Sequence, residues 1–160
     1  MIQEFLTQLL KIGLAISAGA LVGFERESQD KPAGLRDVIL VTLGATIFSI
    51  LALDLVRIAS QFQLPIRYDI GRIIAYTIAS MGFLGSGIII QNKNKIEGLT
   101  TAGILWVMVG TGLVIGIGNY PLALALTLCV YGILKLKHVR IVFEKRRKRE
   151  KRKIRNRKKN

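Results

Sequence analysis

Residues 25–37 read ERESQDKPAGLRD and hold seven charged side chains. Apolar runs of near membrane-spanning length flank this segment on both sides. Charges gather in this way where a chain leaves the hydrocarbon of a bilayer, because polar groups inside the bilayer must find partners within the protein. The pattern predicts an all-α, polytopic membrane helical bundle. It also makes residues 25–37, the charged segment, the first place to look for function.

The charge of the chain is unevenly distributed. The 160 residues are 51% hydrophobic, yet their formal net charge is +14. Fifteen of the 24 lysines and arginines lie at Lys135 or after it. We therefore divide the chain into a transmembrane helical domain, residues 1–139, and a basic cytoplasmic tail, residues 140–160, which we expect to be disordered.

A transmembrane helix needs about 20 apolar residues. The run over residues 99–134 has no charge, but as one helix it would be about 54 Å long, so we divide it at the turn signal Asn119-Tyr120-Pro121. Five spans are then predicted, at residues 5–24, 37–56, 71–90, 99–118 and 121–139. A cleaved signal peptide is the rival interpretation of the first span, and the acidic Glu4 with no basic residue before it disfavours cleavage.

The basic residues also predict the orientation, because positively charged loops stay in the cytoplasm. With five spans, the charged segment, Lys93, Lys95 and the tail lie on one side of the membrane. The loop on the other side carries far fewer basic residues. The N-terminus is therefore predicted outside and the C-terminus inside.

Small residues four positions apart predict close helix packing in lipid. The first span has Gly19 and Gly23 at this spacing, and the fourth has Gly112 and Gly116. The third span is also rich in glycine. We therefore expect the first, third and fourth helices to form the centre of the bundle, and the fifth to lie at its edge.

The carboxylates of the charged segment allow two interpretations. Glu25 and Glu27 could bind a divalent cation, because hard cations take carboxylate oxygens. They could instead pair with Arg26, Lys31 and Arg36 in a salt-bridge network at the membrane interface. The network is the favoured interpretation.

Two further groups are functional candidates. Gly82, Gly85 and Gly87 could break the third helix and expose carbonyl oxygens to an ion, although close packing is the commoner reason for such glycines. Thr100 and Thr101 could join the charged segment from the next cytoplasmic loop. A threonine there could also serve as the N-cap of the fourth helix.

A few charges lie within or beside the predicted spans. Lys11 is inside the first span, close enough to its end that we expect its ammonium group to extend outward to water. Asp54 and Arg57 are three residues apart and predict an ion pair at the outer interface, and Asp69 and Arg72 predict a second.

The chain lacks histidine or cysteine at metal-ligand spacing, a phosphate-binding loop, and a nucleophile with a nearby base. We therefore expect no enzymatic activity and no cofactor, and we assign no metal site. The tail is expected to bind anionic membrane lipids, and a plain topology anchor is the alternative. Nucleic-acid binding is disfavoured, because no aromatic residue follows Phe143.

Several stretches occur in an order that is similar to a known family: residues 23–27 (GFERE), 31–37 (KPAGLRD), 81–89 (MGFLGSGII), 98–102 (GLTTA) and 116–120 (GIGNY). Together they resemble the MgtC/SapB family of bacterial membrane proteins. The resemblance implies a multi-pass protein of the bacterial inner membrane, tied to growth when magnesium is scarce. The basic tail stands where longer members of the family have a soluble C-terminal domain.

The resemblance also implies a function. Members of this family are thought to modulate other membrane proteins, including the ATP synthase and cation transporters, without carrying magnesium themselves. A small transporter or channel for Mg²⁺ or another cation is the alternative, and homo-oligomerisation is left open. The positions carried over to this chain are Glu25, Arg26, Glu27, Gly34, Leu35, Arg36, Gly82, Gly85, Gly87, Thr100 and Thr101.

Overall fold

The computed structural model describes residues 2–63, 69–92 and 95–135. This part of the chain forms five α-helices and one β-hairpin. The helices are α1 (Ile2–Glu27), α2 (Leu35–Gln61), α3 (Ile70–Ile88), α4 (Leu99–Ile117) and α5 (Tyr120–Lys135). The hairpin between α3 and α4 consists of β1 (Ile90–Asn92) and β2 (Lys95–Glu97), which pair antiparallel.

The helices agree with an all-α membrane bundle. Three of them, α1, α2 and α4, are long and apolar enough to cross a membrane, and α5 is apolar but shorter within the described residues. The count of five spans and the orientation of the termini stay predictions. Residues 136–139 of the fifth predicted span and the tail at residues 140–160 lie outside the described residues.

The ends of α3 and α4 differ from the prediction. The third span was predicted to continue to residue 90, but α3 ends at Ile88 and the chain enters β1 at Ile90. The N-cap of α4 is Gly98 and not a threonine. Gly98 has a φ of +84°, in the left-handed region, and a Cβ there would overlap the backbone carbonyl of Ile88. Only glycine fits this turn without strain.

The helix at the centre of the bundle is α2, which corrects the predicted centre of first, third and fourth helices. It packs against α1 on one side and α4 on the other, whereas α1 and α4 barely meet. The glycines of α1 and α4 do mark close packing, but both pairs contact α2. A Cβ on Gly19 would lie 2.7 Å from the Cα of Ile39, and one on Gly23 would lie 2.8 Å from the Cα of Leu35.

The face of α2 that meets α4 is built from small polar residues. The Thr46 hydroxyl oxygen lies 2.9 Å from the carbonyl oxygens of Thr42 and Gly112, and its single O–H is shared between these two acceptors. The Ser49 hydroxyl donates to the carbonyl of Leu113 at 3.0 Å. These hydrogen bonds satisfy buried hydroxyl groups within the protein, so the two backbones can approach closely without a cost in unpaired polar groups.

The fifth helix is less peripheral than predicted. Val130 and Leu134 belong to the main apolar core, which also contains Val22, Val38 and Met108. A smaller core cluster joins α5 to the middle of α1 and the end of α4, through Ala123, Ala15 and Ile115. This contact positions the last turn of α5 beside the charged segment.

Candidate functional site

The charged segment lies at one end of the bundle, where α1 ends, α2 and α4 begin, and α5 reaches Lys135. The first two residues of this segment are buried: Glu25 is 7% exposed and Arg26 is 4% exposed. Charged side chains are almost never fully buried unless they are paired. The partners of these two residues therefore define the site.

Arg26 joins α1 to α4. Its guanidinium donates a hydrogen bond to the hydroxyl of Thr101, which is itself buried in the first turn of α4. The Nε atom of Arg26 is buried and has no hydrogen-bond partner within the described part of the chain. Residues 2–63, 69–92 and 95–135 also place no carboxylate within ion-pair distance of Arg26. Among the described residues, the site thus contains a buried cation that has no carboxylate within ion-pair distance.

Glu25 joins α1 to α5. Its carboxylate accepts from the Lys135 ammonium at 2.8 Å and from the Gln29 side-chain amide at 2.7 Å. Lys135 also lies over the ring of Tyr131, with its Nζ atom 5.3 Å from the ring centroid. The last turn of α5 is therefore bound to the last turn of α1 through a charge-assisted hydrogen bond.

Glu27 joins α1 to α2. Its carboxylate accepts from the backbone N–H of Leu35 at 2.7 Å, which satisfies one of the free N–H groups in the first turn of α2. A Cβ on Gly34 would lie 2.8 Å from the Oε2 atom of Glu27, so a larger residue at this position would require the Glu27 carboxylate to shift. Asp37 caps the same turn, because its carboxylate accepts from the N–H of Gly34 at 3.0 Å.

We call this arrangement the end cluster. It connects α1 with α2, α4 and α5, and consists of Glu25, Arg26, Glu27, Gln29, Gly34, Leu35, Thr101 and Lys135. The structure therefore brings together six sequence-predicted positions. Arg36 and Thr100 lie beside the cluster but are exposed.

The predicted salt-bridge network has the wrong partners. Glu25 pairs with Lys135 and Glu27 with the N-terminus of α2, whereas the prediction gave them Arg26, Lys31 and Arg36. The two carboxylates bond to different helices. In the described ranges, no group of three or more His, Cys, Asp and Glu side chains could hold a metal ion.

Neither interpretation fits Gly82 and Gly87 of α3, whereas Gly85 is buried against α4. The helix is continuous to Ile88, so Gly82, Gly85 and Gly87 do not break it. A Cβ on Gly82 or Gly87 would meet nothing within 4 Å, and one on Gly85 would be in ordinary contact with Ala102 at 3.6 Å. These glycines are therefore not part of the end cluster.

Gln29 and Lys135 carry no direct signal in the sequence that marks them as site residues. Gln29 lies one turn after Glu25, a spacing that allows a hydrogen bond. Lys135 is the first basic residue after the fifth apolar run and is 110 residues from Glu25. Because Lys135 directly precedes the tail, its sequence position indicated only a contribution to the orientation of the chain in the membrane.

The opposite end of the bundle carries a second set of charges. Arg57 pairs with Glu4 at 2.6 Å and not with Asp54, whose carboxylate accepts from the Gln8 amide at 3.2 Å. Lys11 does not extend outward to water: its ammonium donates to the carbonyl of Gly116 at 2.7 Å. The predicted pair of Asp69 and Arg72 is confirmed, at 3.7 Å.

Fold and site together define an α-helical membrane protein in which buried charged side chains hold helix ends together. The model of the MgtC family matches residues 12–140. The chain belongs to the MgtC family.

Three relatives illustrate the match. Protein SapB of Bacillus subtilis is 34% identical over 122 residues, which are 73% of this chain and 50% of the relative. Protein MgtC of Salmonella typhimurium is also 34% identical over 122 residues, 76% of this chain and 48% of the relative. The "Putative magnesium transporter YhiD" of Escherichia coli is 33% identical over 139 residues, 86% of this chain and 62% of the relative. The chain spans about half the length of the first two. No solved structure matches the chain.

Proposed function

We propose that this chain is a non-enzymatic, multi-pass protein of the bacterial inner membrane that modulates partner membrane proteins in magnesium or membrane-energy homeostasis. The observation that carries the proposal is the end cluster, together with membership of the MgtC family. Glu25 and Glu27 are engaged by groups on other helices, which leaves them poorly placed for carrying an ion.

The end cluster would act as a rigid base for a binding surface. Its hydrogen bonds connect four helices, while Lys31, Arg36 and Thr100 remain exposed beside it. Exposed basic and polar groups around a fixed base suit recognition of an acidic surface on a partner. Under the predicted orientation this surface faces the cytoplasm. The ATP synthase and cation transporters are the partners that the family resemblance suggests.

The basic tail supplies a second contact in this proposal. Lysines and arginines near an anionic leaflet contribute about 1 kcal/mol each to membrane binding. Tail binding to anionic lipids would hold the cytoplasmic end of the bundle against the membrane surface, where a membrane-embedded partner can reach it.

The second candidate function is transport of Mg²⁺ or another cation. The observation that favours it is the name of the Escherichia coli relative, a putative magnesium transporter. In this case carboxylates of the bundle would carry an ion, and their substitution would change the ion flux.

Crosslinking in cells grown at low magnesium tests the leading proposal. A photoreactive group is placed at Arg36, with the same group at Lys95 on the hairpin as a matched control. We expect one or a few membrane proteins to be captured from Arg36 under low magnesium and not from Lys95. Capture of no protein from Arg36 at low magnesium, with the tagged protein present in the membrane, would contradict the proposal.

A further inference from the structure

A polar cleft lies between α1 and α2, at the end of the bundle opposite to the end cluster. Its volume is about 320 Å³. Its lining includes Glu4, Gln8, Lys11, Leu53, Asp54 and Arg57. The four charged groups comprise two carboxylates and two cations. Lys11 lies within the first predicted span, where an ionisable side chain is a candidate functional group by default.

The contact between α1 and α2 differs at the two ends of these helices. Near the end cluster, Gly19 and Gly23 bring the two backbones into contact. Toward the other end, polar side chains of both helices line the cleft, and the Gln8 amide donates a 3.2 Å hydrogen bond across to Asp54. The space between them is open to solvent at the rim, where Glu4 and Arg57 are each more than half exposed.

Lys11 supplies an available cation inside the cleft. It lies about 14 Å along α1 from the first residue of the helix. Its ammonium group has three N–H donors. One of them binds the carbonyl of Gly116, and no other partner is found among the described residues. Two donors of a partly buried ammonium therefore remain for a ligand.

Asp54 supplies an available anion in the same cleft. Its carboxylate accepts one hydrogen bond, from Gln8, although an ionised carboxylate can accept about four. Across the described ranges Asp54 has no ion pair, since Arg57 turns to Glu4. Lys11 and Asp54 thus line one cleft without forming an ion pair with each other.

We propose that this polar cleft binds a small zwitterion, in which an anionic phosphate or carboxylate oxygen lies close to a protonated amine. The anionic oxygen binds the Lys11 ammonium, and the amine binds the Asp54 carboxylate. A ligand with charge of one sign only would leave either Lys11 or Asp54 without an oppositely charged partner. The same chemistry occurs in a free zwitterion and in a phospholipid headgroup that carries ethanolamine.

Binding measurements on the purified full chain test the proposal. Phosphoethanolamine is the soluble probe, and phosphatidylethanolamine in nanodiscs of otherwise phosphatidylcholine is the lipid probe. Ethyl phosphate carries only negative charge and ethylamine only positive charge. We expect at least one zwitterionic probe to bind. Ethyl phosphate and ethylamine should each bind at least about tenfold more weakly, because each lacks one of the two charge-assisted hydrogen bonds. Binding of only the lipid probe identifies a headgroup site, and binding of the free probe a solute site.

Two charge-removing variants, Lys11→Met and Asp54→Asn, are each expected to weaken binding by about tenfold or more. Their matched controls are Lys95→Met and Glu97→Gln, on the exposed hairpin, which should leave binding unchanged. A third variant, Leu53→Trp, fills the cleft and keeps every charge, and it should also abolish binding. Circular dichroism establishes that each variant is helical.

Three results would overturn the proposal. The first is a wild-type chain that binds neither zwitterionic probe. The second is binding of ethyl phosphate or ethylamine as tight as that of the zwitterionic probes, which would indicate a water-filled cleft with no selectivity for a zwitterion. The third is unchanged binding in a folded Leu53→Trp variant, which would place the ligand elsewhere.

Discussion

The buried guanidinium of Arg26 donates a hydrogen bond to the buried hydroxyl of Thr101, and this contact joins the last turn of α1 to the first turn of α4. A cation in such a place has lost its hydration without gaining an adjacent carboxylate among the described residues. The neutral Thr101 hydroxyl is its one side-chain acceptor in that part of the chain. Removing this acceptor should therefore cost more than an average hydrogen bond.

Thr101→Val is expected to lower the free energy of unfolding by about 1–3 kcal/mol, because the Arg26 guanidinium is left buried without its acceptor. The double variant Arg26→Met with Thr101→Val should lose less, since apolar groups then replace both partners. Unfolding in mixed detergent micelles measures both values. Thr100→Val, at the exposed neighbour, is the control and should stay within about 0.5 kcal/mol of the parent.

Glu25→Gln is expected to lower the unfolding temperature, because it removes the charge that binds Lys135 across α1 and α5. Glu97→Gln is the matched control, since Glu97 is exposed and its pair with Lys95 lies on the hairpin. Thermal unfolding followed by circular dichroism compares the two. Equal unfolding temperatures for the two variants would show that the Glu25–Lys135 pair does not stabilise the bundle.

Gly112→Ala tests whether α2 is the central helix. A Cβ on Gly112 would overlap the backbone oxygen of Thr42 and lie 2.9 Å from the Cβ of Ala45, so overpacking should cost about 1–3 kcal/mol. Gly110→Ala in the same helix meets nothing within 4 Å. It should be neutral or stabilise the helix by up to about 1 kcal/mol, through helix propensity. A Gly110→Ala variant as unstable as Gly112→Ala would contradict this packing.

Gly98→Ala tests the turn from β2 into α4. Both Gly98 and Gly118 have a positive φ, at +84° and +97°, so alanine should cost about 1–2 kcal/mol at either position. At Gly98 the Cβ also overlaps the carbonyl of Ile88, whereas at Gly118 it meets nothing within 4 Å. Gly98→Ala should therefore be the less stable variant when the two are unfolded side by side.

The helices and their approximate bounds could be predicted because each corresponds to an apolar run that ends at charges, glycine or proline. The glycines of α1 and α4 were also recognised as packing surfaces. The central position of α2 was not predicted, because Thr42, Thr46 and Ser49 do not stand out in the sequence as residues of a close-packed interface. Their importance comes from hydrogen bonds to carbonyl oxygens, including those of Gly112 and Leu113 on the neighbouring helix.

The positions in the candidate site could be predicted more readily than their partners. Arg26 and Thr101 were both identified, but the contact between them depends on how α1 and α4 meet at the end of the bundle. Spacing along the chain favoured local partners for Glu25, whereas the fold supplies Lys135 from the far end of α5. The hairpin between α3 and α4 was missed because each strand has only three residues.

The most direct test of the account is magnesium flux into proteoliposomes that hold the purified chain, with a known magnesium transporter as positive control. A modulator of partner proteins should give no flux above protein-free liposomes while the control is active. Flux that disappears in Glu25→Gln or Glu27→Gln, and persists in Glu97→Gln, would contradict the account and establish a transporter.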